Sequence, residues 1–180
     1  MEEKEAKRLY ELLLDNGIQT WVVGGWGIDA LYGEQTRSHK DLDVIMRADD
    51  IFKACQIMHE EGYISKALWS ENRPVKDSFG NLIDTAFILQ DCNKCGLDIH
   101  AIIFDKAGNG LPAWNETEDF FFSNEDLGGS GTIDGASVQC ITVQSQLVCH
   151  SGYEIPGHQM NDLKILKRLK KHRRRVSTSG

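Results

Sequence analysis

Apolar positions recur along this chain in two periods, one helical and one strand-like. Ala6, Leu9, Tyr10 and Leu13 fall on one helical face within residues 3–16, and Gly17 follows as a stop. Residues 18–23, IQTWVV, form a short apolar run suited to a buried strand, and Gly24-Gly25 breaks it. A short helix through Trp26, Ile28 and Leu31 then ends at Gly33. Residues 41–46, DLDVIM, alternate and then run apolar, which predicts a strand. Asp49 or Asp50 is placed to cap a helix carrying Phe52, Cys55 and Met58, with Gly62 as its stop. Strands are expected near 63–69 and 83–89. The second pairs through the CNKCG turn with 97–103, LDIHAII, with Asn93 and Gly96 as turn formers. Gly108, Gly110 and the stretch 124–135, NEDLGGSGTIDG, read as turns, and 137–141 as a strand. Helices near 143–150 and 160–173 close the pattern, and the final VSTSG is expected to be disordered. Strands and helices mix without a regular βαβ repeat. The expected fold is therefore α+β: a mixed β-sheet with helices packed on it, in one domain over 1–173. Its C-terminal helical segment spans 142–173, and a basic, disordered tail covers 174–180.

Composition narrows the class. A chain of 180 residues with 41% hydrophobic content can bury one real core. No run approaches the ~20 apolar residues of a membrane span, and MEEKEAKRLY is too acidic for a signal peptide. A cytoplasmic location is expected. The five cysteines are odd in number and scattered, which fits a reducing compartment. Cys92 and Cys95 form a lone C-x-x-C lacking two further ligands, so it reads as a hairpin turn before a zinc site.

Charge is unevenly spread. Eight of the 20 basic residues lie between Lys164 and Arg175; without them a net charge of −7 becomes −15 for the rest of the chain. Such a body repels phosphate backbones and suits a cationic substrate. The basic run reads as a solvated helix end that complements the helix dipole, which argues against nucleic acid as a partner.

Candidate chemistry sits in three places. Asp41 and Asp43 are two apart on a strand, so their carboxylates share a face while Leu42 and Val44 point into the core. Two such carboxylates suit Mg²⁺, which takes hard oxygen ligands and substrate phosphates; an acidic solvent face is the plainer reading. Gly24-Gly25 lies between a strand and a helix, where bare backbone N–H groups can approach a phosphate. Between these two motifs lie Arg37, His39 and Lys40, of which Arg37 and Lys40 can pair with a triphosphate. In LDIHAI, Asp98 and His100 share a strand face, so Asp98 can complete a three-carboxylate site or accept a hydroxyl proton, with His100 assisting or holding substrate. A histidine base would raise the rate through a pKa near ~6.5, whereas an ordinary aspartate would leave a flatter profile there.

The order Gly-Gly, helix, Asp-x-Asp, then a third acidic strand residue resembles the DNA polymerase β nucleotidyltransferase superfamily. The wording GGWGIDALYGEQTRSHKDLDV with LDIHAI is similar to small antibiotic nucleotidyltransferases, and LVCHSGYE and NDLKIL extend the likeness to lincosamide nucleotidyltransferases. The resemblance runs from about Trp21 to about Leu169. It implies a polymerase β-like fold, Asp41, Asp43 and Asp98 as Mg²⁺ ligands, and Asp98 as general base. Gly24, Gly25, Arg37 and His39 would lie along the triphosphate. His150, Tyr153 and Asp162 match its C-terminal segment without a fixed role. It further implies homodimers. The Cys92–Cys95 turn and the 124–135 segment depart from the pattern where an acceptor pocket is shaped.

The leading expectation is transfer of AMP from ATP to a hydroxyl of a lincosamide, with two Mg²⁺ ions and release of pyrophosphate. An aminoglycoside acceptor is the alternative that the acidic body favours. A protein- or RNA-modifying transferase, or an inactive nucleotide-binding module, stands further off, because all three acids and both glycines are present.

Overall fold

The structure is a computed structural model that describes residues 1–115, 120–150, 157 and 160–177, with side chains described as far as His172. Helix α1 (Glu3–Asp15) leads into β1 (Thr20–Val22), α2 (Gly24–Tyr32), β2 (Asp41–Arg47) and α3 (Ala48–Glu60). Strands β3 (Ile64–Leu68), β4 (Val75–Lys76), β5 (Leu82–Ile83), β6 (Ala86–Gln90), β7 (Gly96–Phe104) and β8 (Gly110–Pro112) follow. A 3₁₀ turn at Asp126–Gly128 precedes β9 (Gly129–Ile133), β10 (Ala136–Cys140), α4 (Val143–Cys149) and α5 (Met160–Ser177).

The main sheet runs β3-β6-β7-β2-β1-β10-β9, with β8 added to β7. It is mixed, as expected: β2 is parallel to β7 and antiparallel to β1, while β1 is parallel to β10. Strand alternation sorts the two faces. Leu42, Val44, Met46, Leu97, Ile99 and Ala101 pack beneath α1 and α3 in one core. The opposite face carries Asp41, Asp43, Asp98 and His100 at one end. At the other end it is closed by Trp21, Ile45, Ile102, Phe122, Leu127 and Ile141. A third cluster joins Ile28 of α2 to Val143 of α4 and to Ile165 and Leu166 of α5.

Five local expectations are corrected. The 124–135 stretch is a strand as well as turns, because β9 pairs along its length with β10. Gly131 serves packing: a Cβ there would overlap the Ala30 carbonyl oxygen, so bare backbone lets α2 lie directly on the strand. The expected 83–89 strand breaks at Asp84-Thr85, where Thr85 and Ala86 donate their N–H groups to Asn72 Oδ1 at 2.8 and 3.0 Å. Neither Asp49 nor Asp50 caps α3. The helix starts directly from β2 with Arg47 at the cap, both acids lie in its first turn, and Asp49 accepts from the Ser78 N–H instead. In the β6–β7 hairpin the left-handed position belongs to Lys94, and Asp91 Oδ1 accepts the Cys95 N–H at 2.7 Å. At the C-terminal end, α5 extends past the boundary at 173 to Ser177. No described helix is long and apolar enough to cross a membrane.

Candidate active site

The three acids converge because β2 and β7 run parallel in one register. Asp43 stands opposite Asp98, and Asp41 opposite Gly96, whose missing side chain leaves room for the Asp41 stem. Since β1 is antiparallel to β2, its end delivers the start of α2 to the same place: the Val23 N–H donates to the Asp43 carbonyl at 2.9 Å. The Gly25 N–H donates to the Asp43 carboxylate. Gly24 takes φ +60°, and a Cβ there would overlap that carboxylate. Glycine at this position therefore brings the helix N-terminus against the acid.

The environment sets the acids' basicity. Burial pushes the Asp43 carboxyl well above the usual carboxylate range. The charges of Asp41 and Asp98 push the same way, against the opposing pull of Arg37 and the Gly25 N–H. Burial likewise raises Asp98 to about 7, helped by Asp41 and Glu71, while the Trp69 indole N–H, donating to Asp98 Oδ1 at 2.9 Å, draws it down. Without a metal, Asp98 is thus a better base than an ordinary aspartate. His100 lies with Nδ1 at 3.4 Å from Asp98 Oδ1 and Nε2 at 3.8 Å from Glu71 Oε1, and burial lowers its pKa. Its ring sits between Trp69 and Trp114, with centroids 6.5 and 4.8 Å away.

The α2 N-terminus is flanked by Arg37 and His39. A Cβ on Gly25 would overlap His39 Nδ1 and lie 2.8 Å from Arg37 Nη2. Neither side chain is a free loop charge. Arg37 is clasped by Asp162 of α5, Nη2 to Oδ2 at 2.9 Å and Nε to both oxygens at 3.2 Å, which raises its pKa further. His39 is buried, with Nε2 at 2.6 Å from Asp29 Oδ2 and its ring 4.6 Å from that of Trp26. Lys40 is exposed on the neighbouring loop. His150 is buried, with Nδ1 at 2.8 Å from the Gln146 carbonyl oxygen, and Tyr153 lies outside the described residues.

Asp29, Trp69, Glu71 and Trp114 escape the sequence reading. Asp29 had a signal, since it is four residues beyond Gly25 and so on the same face of α2. Trp69 ends the expected 63–69 strand, and Glu71 and Trp114 sit where no periodicity marks them. The described residues contain no ready-made cage of three or more metal-ligating side chains. An acidic pair left open to phosphate oxygens and water nevertheless fits Mg²⁺, which rarely uses an all-protein cage.

A parallel pair of strand carboxylates beside a glycine helix start suits a divalent cation and a phosphate. The family model described as aminoglycoside-2''-adenylyltransferase matches residues 5–166. The chain belongs to this family. A lincosamide resistance protein of Staphylococcus haemolyticus is 29% identical over 167 residues, covering 93% of this chain and 95% of that protein. The lincomycin-bound crystal structure of the lincosamide antibiotic adenylyltransferase LnuA is 28% identical with a TM-score of 0.77, over 94% of this chain and 98% of that one. The antibiotic-resistance factor ANT(2")-Ia, solved with adenylyl-2"-tobramycin, shares the fold at 14% identity and a TM-score of 0.63, over 98% and 97% of the two chains. As a member of the aminoglycoside-2''-adenylyltransferase family, the chain is a nucleotidyltransferase with an α+β, mixed-sheet fold.

Proposed function

We propose that the chain transfers AMP from ATP to a hydroxyl of a lincosamide antibiotic and releases pyrophosphate. The observation that carries the reading is the Asp43–Asp98 register pair set against the Gly24-Gly25 start of α2. The likeness to LnuA over nearly the whole of both chains supports the lincosamide as acceptor.

In this reading Asp41, Asp43 and Asp98 hold Mg²⁺, two ions being the usual number for in-line displacement at phosphorus. Bound there, the metal supplies positive charge for the phosphate oxygens and for the acceptor oxygen. The chain's own groups do the rest. Backbone N–H groups at the start of α2 beyond that of Gly25, which Asp43 holds, receive the phosphates, with Arg37 and His39 on their flank. The acceptor hydroxyl attacks the α-phosphorus as the bond to pyrophosphate breaks, and its proton passes to Asp98. Trp69 fixes the Asp98 carboxylate that takes the proton. Trp69, His100 and Trp114 offer a wall for a sugar ring, and Glu71 a carboxylate for a basic amine on the acceptor.

An aminoglycoside is the second reading, supported by the family model and by the acidity of the chain outside its last helix. A cytoplasmic location, where ATP is supplied, belongs to this proposal. So does a homodimer, supported by the open sheet edge at β3, where Phe52, Ile64, Leu68 and Leu82 are all exposed. Pyrophosphate release, measured with and without Mg²⁺ against lincosamides and aminoglycosides, tests the reading. Release with lincomycin alone supports the first acceptor, and release with aminoglycosides alone the second. No metal-dependent release with either removes the proposal.

A further inference from the structure

Two carboxylates outside the candidate metal ligands each hold one flank of the phosphate cradle. Asp162 and Asp29 are both buried, with side chains 2% and 3% exposed. Asp162 lies in the first turn of α5, 125 residues from the arginine it grips. That helix is pinned to α2 and α4 by Ile165 and Leu166, so the position of Asp162 is set by apolar packing. Its three contacts take the Nε and Nη2 side of the guanidinium, and the Ser38 carbonyl takes Nη1 at 3.2 Å. The Arg37 fork is left with Nη2 over Gly25. Asp29 is as fully occupied, accepting from the Thr36 N–H at 3.1 Å and the Thr36 hydroxyl at 2.6 Å besides lying against His39 Nε2. The Asp29 contact turns His39 Nδ1 toward Gly25.

We propose that Asp162 and Asp29 are positioning residues of the nucleotide site. On this account the C-terminal helix is part of the triphosphate-binding apparatus rather than an appendage. A free arginine spreads over many rotamers and loses that freedom when it meets a phosphate. Arg37 has already lost it, and a prearranged fork contributes more per hydrogen bond formed. The carboxylate also weakens the long-range pull of Arg37 on a nucleotide, but prearrangement outweighs that loss, so affinity falls when Asp162 is removed. The proposal rests on the nucleotidyltransferase reading of the site.

The test is calorimetric titration of the full chain with α,β-methylene-ATP and, separately, with the acceptor, on the wild type and on Asp162→Asn, Arg37→Gln and the double variant. Asp162→Asn is expected to weaken nucleotide binding about tenfold, the scale of a charge-assisted hydrogen bond, and to leave acceptor affinity unchanged. Because Asp162 acts through Arg37, the double variant should bind nucleotide no worse than Arg37→Gln alone. If Asp162→Asn does not fold, Asp29→Asn supplies the same readout through His39. Unchanged nucleotide affinity with a lowered melting temperature would make the pair a structural clamp and overturn the proposal. Tighter nucleotide binding would overturn it too, by making Asp162 a competitor for Arg37. Additive losses in the double variant would show that Asp162 does not act through Arg37. A wild-type chain that binds no nucleotide would remove the reading of the site along with the proposal.

Discussion

Asp43 and Asp98 stand directly opposite each other on the parallel strands β2 and β7, and burial holds both carboxyls above their usual range. Two carboxyls in register with raised pKa values weaken the fold at neutral pH unless a cation joins them, and the first prediction follows from that cost.

Asp43→Asn and Asp98→Asn are expected to raise the melting temperature by a few degrees at pH 8 without Mg²⁺ while abolishing or crippling turnover. The folded pKa of each acid is raised, so each destabilises the native state increasingly as pH climbs from the ordinary carboxylate value. For Asp98 the cost grows from about 4 to about 7 and is constant above. The stabilisation by each variant should therefore shrink as the pH is lowered toward 4, and Mg²⁺ should stabilise the wild type more than either variant. Thermal melts across pH check this; variants that melt below the wild type at pH 8 would contradict it.

Asp98 should titrate near 7 by carboxyl ¹³C NMR in the metal-free protein, and Mg²⁺ should move that titration down. Trp69→Phe removes the indole donor and should move it up. In turnover, Asp98→Asn should cost roughly 10²-fold or more in kcat, the scale of general-base loss. His100→Ala should chiefly raise the acceptor KM. A large kcat loss confined to His100→Ala would reassign the base.

Gly25→Ala should weaken ATP binding by tenfold or more and leave acceptor binding alone. The backbone angle at Gly25 tolerates a side chain, so the effect is local: the new methyl displaces His39 Nδ1 and Arg37 Nη2 from the helix start. Equal loss for both ligands would point to a general distortion of the site.

Gly131→Ala tests the fold rather than the site. Its methyl would overlap the Ala30 carbonyl, and backbone cannot rotate away as a side chain does. Destabilisation of about 1–3 kcal/mol or more is expected from overpacking, read from urea unfolding.

Local rules were enough for the acids. Alternation along a strand is a covalent fact, so Asp41 with Asp43, and Asp98 with His100, had to share faces, and the order of glycines, helix and acids placed the cradle beside them. The sequence by itself also determined the mixed α+β character and the apolar face of α1. The strand in 129–133 was not legible, because glycine signals a turn equally well wherever it occurs; only the pairing with β10 and the close passage of α2 decide its use. The sequence could name Arg37, His39 and Asp162 without saying that a carboxylate 125 residues away orients the arginine. The basicity of Asp98 was equally out of reach. It depends on burial and on Trp69 and Glu71, which the chain brings to β7 from the loop after β3. Periodicity along a chain reports which neighbours share a face, whereas partners and local dielectric are set by segments that meet only when the sheet and its helices close around them.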